Sequence, residues 1–439
     1  MRKEIIALFL LGGLASLNPL NAQESRFGFC DRVEPFKWAD NTPADCPFPK
    51  SKKYSEIVFT GRYANYTDAD TWYPSWADDG CMYSPWTDGY LVEGHENEYV
   101  PFSAFKEQHP DYACYSIPYT YKDERRKPAT GQAKIIGDDP MHLKIENLFR
   151  VEGDPAPYNG RYPCGSLVYN GVWYYGTYCV TNRSDSDCGG VAWTCLGPFV
   201  GFRVSKDYGK TWTDTPFTPE KSLFGEDPKV APVKIGTPHF VDFGKNMQYS
   251  PDGYAYLTAH GATDPKAWNG WIQGDQIYLI RVKPSEQTMN DPSAYEFYAG
   301  KDKKGKPVWT KEFSKIKPLL EWSGHLGCVT VTYNPGLKKY LMCITRGVRN
   351  SVFGTSPCTN NRYDTMILES DKLDGNWKLL KYLDRFGPVA YFVNIPSKFI
   401  SEDGKTMWLS YSASWNNKDI TPNPEGGYYS FSLHEFTVE

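Results

Sequence analysis

Histidine is scarce in this chain, with seven residues among 439. After the N-terminal segment no apolar run is long enough to cross a bilayer, which excludes a membrane-spanning helix there. There is also no basic run, and the net charge is −4, which argues against nucleic acid and against an anionic membrane surface as partners. The sequence therefore predicts a chain that binds neither nucleic acid nor membrane.

The N-terminal segment predicts export. Arg2 and Lys3 precede an apolar run, and small residues follow it up to the sequence LNA at residues 20–22, an arrangement typical of a secretory signal peptide. We expect cleavage near Ala22 and a secreted or periplasmic location, without a lipid anchor because no cysteine follows the apolar run. Residues 23–439 are then expected to form a single domain, and the protein to be a monomer.

The eleven cysteines include no CxxC pair, which is the spacing typical of zinc ligands. Four of them form a cluster in the sequence: Cys164, Cys179, Cys188 and Cys195. In an exported chain such a cluster predicts one or two disulfides, with three possible pairings, and a structural zinc site is the alternative.

Helical periodicity is almost absent from the sequence. Short runs rich in Val, Ile, Tyr, Phe and Trp alternate with turn residues, and a strand–turn–strand phrase recurs, as in SLVYNGVWYYGTYCV and MQYSPDGYAYLTAHG. Such recurrence is typical of radially repeated four-stranded sheets. At about 60 residues per repeat, a loose version of the ~40–50 usual for propellers, the chain predicts an all-β, seven-bladed β-propeller.

The sequence SKDYGKTW at residues 205–212 resembles the Asp-box of sialidase-like propellers. In that motif the aspartate ties a hairpin turn and the tryptophan packs between blades. The resemblance therefore implies a structural role for these residues and supports the predicted fold.

Two of the seven histidines, His239 and His260, end adjacent apolar runs that are joined by the turn SPDG. Sites on propellers lie at the mouth of the central channel, where strands from several blades converge, so their residues are scattered in sequence. The later strand–turn–strand phrases add Tyr333, Arg349 and Tyr391. A packed or surface position is the more frequent role of either histidine alone, whereas the set of five points to chemistry.

The order His, His, Tyr, Arg, Tyr resembles the active site of the seven-bladed propeller polysaccharide lyases. These are the ulvan lyases of polysaccharide lyase families 24 and 25 and the related L-rhamnose-α-1,4-D-glucuronate lyases. The specific part of the resemblance covers residues 237–391. It implies a secreted lyase that cleaves a 4-linked uronate in an acidic polysaccharide or oligosaccharide by β-elimination.

The resemblance also implies a role for each residue. His239 and Tyr333 would be the catalytic pair, which removes the proton at C5 and protonates the leaving oxygen. His260, Arg349 and Tyr391 would bind the substrate and neutralise its carboxylate, a task that suits the fork of an arginine.

Several alternatives stay open on the sequence. Arg346 lies three residues before Arg349 and is a second candidate for the carboxylate clamp. A propeller glycoside hydrolase of the sialidase or α-L-rhamnosidase type is one alternative activity, and a non-catalytic carbohydrate-binding propeller is another. Aromatic residues make up 16% of the chain, which suits all of these functions because sugar faces stack on aromatic rings.

The predicted chemistry needs no cofactor, and no metal ligand is predicted in the active site. A structural calcium at the acidic turn DDG, residues 78–80, and a structural zinc are the metal sites left open. An ordinary turn is the favoured role of residues 78–80.

Overall fold

The computed structural model describes residues 29–54, 56–66, 69–87, 129–152, 162–181, 195–347, 363–387, 389–413 and 423–439. The predicted signal peptide, residues 1–22, lies outside these ranges. Within them β-strands dominate, which confirms the all-β prediction, and no helix is long and apolar enough to span a membrane. The helices are short 3₁₀ turns at Lys245–Met247, Pro292–Ala294, Phe313–Lys315 and Ser397–Phe399.

The first strands of the chain are β1 (Phe29–Arg32), β2 (Phe36–Lys37) and β3 (Ile57–Tyr66). Five antiparallel units, here called blades, contain all the other strands. The first blade comprises β4 (Ser75–Trp76), β5 (Met82–Thr87), β6 (Ala129–Ile136) and β7 (Lys144–Glu152). The second comprises β8 (Tyr162–Tyr169), β9 (Val172–Thr181) and β10 (Cys195–Ser205).

The third and fourth blades share one ten-stranded sheet, because their innermost strands pair in parallel. The third blade comprises β11 (His239–Asp242), β12 (Ala255–Gly261), β13 (Gln276–Val282), β14 (Glu296–Lys301) and β15 (Pro307–Thr310), with β16 (Pro318–Glu321) on β13. The fourth comprises β17 (Val329–Asn334), β18 (Lys339–Gly347), β19 (Tyr363–Ser370) and β20 (Lys378–Leu383).

The fifth blade joins the two ends of the chain. It comprises β21 (Tyr391–Asn394), β22 (Thr406–Ser412) and β23 (Phe431–Val438), and β3 pairs with β23 from Ile57 to Tyr66. An early strand therefore completes the last blade, so the two ends of the chain cannot separate without losing this strand pairing.

The innermost strands of the five blades surround one axis. Contacts join the blades in turn: Val168 N to the Ser75 hydroxyl, Gly165 N to Pro238 O, the β11–β17 pair, the Thr330 hydroxyl to Val393 O, and the Asn394 amide to Trp72 O. A cavity of about 50 Å³ lies on the axis and is lined by residues of all five blades. Among the described residues no sheet closes on itself, and the five blades around one axis form the arrangement of a β-propeller.

Seven blades are not confirmed, because the described residues form five. Residues 206–238 connect the second and third blades without adding a named strand, although they contain the turn residues that suggest further hairpins. A single domain over residues 23–439 stays a prediction.

The turn at residues 205–212 is tied by its own side chains. The Asp207 carboxylate accepts hydrogen bonds from the Thr211 hydroxyl and amide and from the Ser205 hydroxyl. These bonds, chiefly that of the Thr211 side chain, lower the pKa of Asp207 to about 2. The Trp212 ring packs 5.2 Å from that of Trp173. These contacts suit a structural role, and the Asp-box itself stays a resemblance.

Gly327 directly precedes the innermost region of the fourth blade, where backbone segments approach closely. A Cβ there would lie 2.0 Å from the Ile272 carbonyl oxygen and 2.2 Å from that of Thr345. We expect Gly327→Ala to lower the free energy of unfolding by about 3 kcal/mol, the upper end for an overpacked core, as measured by urea denaturation.

The matched control for this prediction is Gly253→Ala. A Cβ at Gly253 would meet no atom within 4 Å, so its cost comes from the φ of 74° alone, about 1 kcal/mol. Equal losses of stability in the two variants would contradict the close approach inferred at Gly327.

Candidate functional site

His239 begins β11 at one end of the axis and is buried. Its ring lies 4.0 Å from that of Tyr73, and its Nε2 lies 3.6 Å from Cys328 Sγ. Among the described residues its Nδ1 has no hydrogen-bond partner. Burial lowers the pKa of His239 to about 3, so the imidazole is neutral throughout the physiological pH range.

His260 lies in β12, two residues beyond Thr258, which is the register partner of His239. Its Nε2 donates to Gly270 O at 2.8 Å, which leaves Nδ1 to accept from the Thr237 hydroxyl at 3.2 Å. Burial lowers its pKa to about 4. Because both nitrogens are engaged, His260 fixes the hairpin turn that contains Gly270 and has no nitrogen left for a substrate.

Tyr333 lies at the other end of the axis. In the parallel register Val241 pairs with Val331, so His239 is level with Val329 and Tyr333 lies four residues further along, about 13 Å at strand geometry. The structure therefore does not bring His239 and Tyr333 together as a catalytic pair around one sugar ring.

Of the two arginines that could bind the substrate carboxylate, the structure describes one. Arg349 lies outside the described residues. Arg346, the alternative clamp, donates from Nη1 to the Tyr382 hydroxyl at 3.0 Å and lies 3.9 Å from the Asp364 carboxylate. Its charge is therefore already compensated by Asp364.

Tyr391 contacts Asp70, a residue for which the sequence predicted no role. Its hydroxyl donates to Asp70 Oδ2 at 2.8 Å, the Tyr429 hydroxyl donates to the same oxygen at 3.1 Å, and the Thr71 hydroxyl donates to Oδ1 at 2.7 Å. Asp70 is buried, and burial raises its pKa to about 6 in spite of these three bonds. A carboxyl group with such a pKa exchanges its proton in the pH range where enzymes work.

The backbone is strained on both sides of the Asp70–Tyr391 contact. Thr71 has a φ of 64° and Phe392 a φ of 54°, a conformation that β-branched and bulky residues rarely adopt. Each such residue costs of order 1–3 kcal/mol, and strain of this kind is concentrated at functional sites. Two residues in this conformation therefore lie directly beside a hydrogen-bonded carboxyl group.

Aromatic rings surround this contact. Trp271 lies 5.5 Å from Tyr391, 5.5 Å from Phe392 and 6.0 Å from Tyr363, and Phe392 lies 5.5 Å from Tyr73. These rings come from the first, third, fourth and fifth blades, so the site is assembled from distant parts of the sequence. We call Asp70, Tyr391 and Tyr429, with these rings, the Asp70 site.

The sequence carried a weak signal for this site. Asp70 begins the stretch DTWYPSWADDGCMYSPWTDG, which is notable for its aromatic residues but contains no catalytic spacing. The signal is the position of a carboxyl group just before an aromatic-rich innermost strand, and a search for residue spacings does not find it.

No group of three or more His, Cys, Asp or Glu side chains is placed to hold a metal ion in the part of the chain that the structure describes. At residues 78–80, Asp79 accepts from the Cys81 amide and the Tyr83 hydroxyl, which is the role of an ordinary turn residue. The prediction that no cofactor is required stays a prediction.

The cysteine cluster is only partly as predicted. Cys164 and Cys179 carry free thiols in the core, whereas Cys195 is in a disulfide whose partner lies outside the described residues, as does Cys188. Pairings that use Cys164 or Cys179 are thus wrong. Both side chains are buried and pack as small apolar groups.

Comparison with protein-family models gives no match, and comparison with curated proteins gives none. Among solved structures, an α-L-arabinofuranosidase from Podospora anserina is 9% identical, with 92% of this chain and 96% of that chain covered and a TM-score of 0.39. A family 117 glycoside hydrolase from Zobellia galactanivorans is 13% identical, with 94% and 91% covered and a TM-score of 0.37. A levansucrase from B. megaterium is 10% identical, with 95% and 92% covered and a TM-score of 0.40. Likenesses at this level carry no argument about activity.

The Asp70 site predicts a pH effect for one substitution. Tyr391→Phe removes a hydrogen bond that lowers the pKa of Asp70. The pKa of Asp70 then rises further, and the alkaline limb of the pH–rate profile should move up by about one pH unit. Tyr411→Phe is the control, since the Tyr411 hydroxyl bonds to His434 Nδ1 instead. Profiles that move equally in both variants would contradict the assignment.

Proposed function

We propose that this protein is a carbohydrate-active hydrolase and that Asp70 transfers the proton. The observation that carries the proposal is the buried Asp70 carboxyl group, with its pKa raised to about 6 and its oxygens held by three hydroxyls. A general acid in glycosidic bond cleavage needs a carboxyl group that is still protonated near neutral pH, and burial supplies this property.

The proposed step uses the protonated form of Asp70. Its proton passes to the glycosidic oxygen as the bond to the anomeric carbon breaks. A water molecule adds its hydroxyl to that carbon, and its remaining proton restores Asp70. The surrounding rings of Trp271, Tyr391 and Phe392 are buried and packed on one another, so they keep bulk water away from the carboxyl group.

The second proposal is the β-elimination that the resemblance implies. The resemblance leaves the base open between His239 and Tyr333, and this proposal assigns that role to His239. The specific observation in its favour is a neutral imidazole whose Nδ1 has no partner among the described residues. Two observations weigh against it. A histidine with a pKa of about 3 is a weak base for a carbon-bound proton. Tyr333 lies near the end of β17 that is far from His239, so it is not placed to act as the acid partner of His239.

The products distinguish the proposals. Purified protein is incubated with xylan, gum arabic and ulvan, while reducing ends and ultraviolet absorbance are recorded together. Hydrolysis predicts new reducing ends without an absorbance change. A rise in absorbance from a new carbon–carbon double bond would replace the hydrolase proposal with β-elimination. Binding without either signal would point to a non-catalytic carbohydrate-binding propeller.

A further inference from the structure

Tyr333 belongs to a second group of aromatic residues at the end of the axis opposite the Asp70 site. The rings that reach solvent are Tyr249, Tyr254, Trp309, Tyr333 and Tyr340, and we call them the aromatic strip. Tyr249 is 41% exposed, and the other four are half-buried.

The rings of the aromatic strip form two groups that buried rings connect. Tyr333 lies 5.8 Å from Tyr249 and 5.0 Å from Tyr340, its cross-strand partner. Two buried rings complete the connection to the third blade: Phe243 lies 6.2 Å from Tyr340 and 5.9 Å from Tyr256. The strip therefore crosses the boundary between the third and fourth blades.

Charged side chains hold the far end of the strip in place. The Arg281 guanidinium lies 4.4 Å from the centre of the Tyr254 ring and 4.1 Å from that of Trp309. Its Nε donates to Glu296 at 2.7 Å, and its Nη1 lies 3.3 Å from Asp252. The rings are thus fixed before any ligand arrives, which reduces the entropy cost of binding.

We propose that the aromatic strip binds a glycan chain at a site separate from the Asp70 site. Among the described residues, no hydrogen bond engages the hydroxyls of Tyr249, Tyr254, Tyr333 or Tyr340. These hydroxyls are therefore available to the hydroxyls of a sugar ring, and the Tyr249 ring, which is 41% exposed, can stack on its apolar face.

The size and composition of the strip favour a glycan over a protein partner. A stable protein interface buries about 800 Å² on each partner and has a well-packed apolar centre. In the strip, Tyr249 is the one residue that is more than a third exposed. The charged Arg281 side chain also covers part of the Tyr254 ring. Arg281 forms ion pairs with both Asp252 and Glu296, so these charges are paired with one another and the site is suited to a chain recognised by its sugar faces.

The position of the strip gives it a role different from catalysis. A polymer held there is anchored at the end opposite the Asp70 site, which raises the local concentration of the same polymer near the protein. The inference does not depend on the chemistry of the proposed function, because binding can be measured without turnover.

The test is native affinity electrophoresis of the full chain in gels that contain xylan, gum arabic or ulvan. Tyr249→Ala and Tyr333→Ala are each expected to weaken retention by about threefold to tenfold, the loss expected for one stacked ring. Tyr333→Phe keeps the ring and should retain most of the binding. Tyr208→Ala is the control, because Tyr208 is a partly exposed tyrosine outside the strip, and it should be retained like the wild type.

Each other outcome overturns the proposal. Retention of both alanine variants at the wild-type level would show that the strip does not bind these polymers. The same holds if none of the three polymers retains the wild type. Sedimentation velocity adds one readout: a dimer that dissociates in Tyr249→Ala would identify a second copy of the chain as the occupant. Failure of the hydrolase proposal would appear in the product assay instead and would leave retention unchanged.

Discussion

Replacement of Asp70 by asparagine is expected to reduce turnover by about 10²- to 10⁴-fold, the range for loss of a general acid. Asparagine keeps the shape of the side chain. Its amide oxygen can accept from the Tyr391 and Tyr429 hydroxyls, and its amide nitrogen can donate to the Thr71 hydroxyl, so the site should stay assembled. The reduction in turnover then measures the contribution of the Asp70 proton. The measurement is the rate of reducing-end release on the polysaccharide that the wild type cleaves.

The matched control for this variant is Asp242→Asn. Asp242 is also enclosed, and its carboxylate accepts from the Ser397 amide and hydroxyl and from the Gly244 amide, but it lies at the opposite end of β11. Its replacement should lower the free energy of unfolding, because uncompensated loss of one such bond costs about 1–3 kcal/mol. Turnover per folded molecule should stay within about twofold of the wild-type value. Equal loss of turnover in both variants would contradict the role of Asp70.

The same substitution at Asp70 should stabilise the protein at high pH. The folded-state pKa of Asp70 is about 6, whereas the ordinary value is 3.8. Its contribution to stability is therefore fully present below pH 3.8 and is lost as the pH rises through about 6, because the charged carboxylate is buried. Asparagine does not ionise, so Asp70→Asn should gain up to about 3 kcal/mol relative to the wild type between pH 4 and pH 8.

Urea denaturation of both proteins at the two pH values measures this difference. A gain in stability together with a loss of turnover would show that Asp70 is held against the stability of the fold, as is usual for catalytic groups. A difference in free energy of unfolding that does not change with pH would mean that Asp70 is ionised in the folded protein throughout this range.

The hairpin around His239 and His260 shows how far the sequence predicts the structure. The apolar runs and the turn SPDG predict two adjacent antiparallel strands, and β11 and β12 pair there. The number of blades was not predictable in this way. Turn residues mark the ends of strands in the blades and also occur in the connection at residues 206–238, so turn residues alone do not give the length of one repeat.

The candidate site was predictable only in its location on innermost strands. His239 and Tyr391 both begin such strands at the same end of the axis as Asp70, but burial changes what they do. Both ring nitrogens of His260 form hydrogen bonds, with Thr237 and Gly270, and the Tyr391 hydroxyl donates to Asp70. Sequence spacing reports which residues share a strand, whereas the pKa of a side chain depends on neighbours that are hundreds of residues away, as Tyr391 is from Asp70.

The most direct test of the central claim compares two substrates with wild type and Asp70→Asn. One is an oligosaccharide that the wild type cleaves in the product assay, and the other is a dinitrophenyl glycoside of the sugar that the wild type releases. The dinitrophenolate leaves without protonation, so loss of a general acid should matter little for it. If Asp70 is the acid, the variant loses turnover on the oligosaccharide and keeps most of it on the dinitrophenyl glycoside. Equal losses on the two substrates would contradict the account.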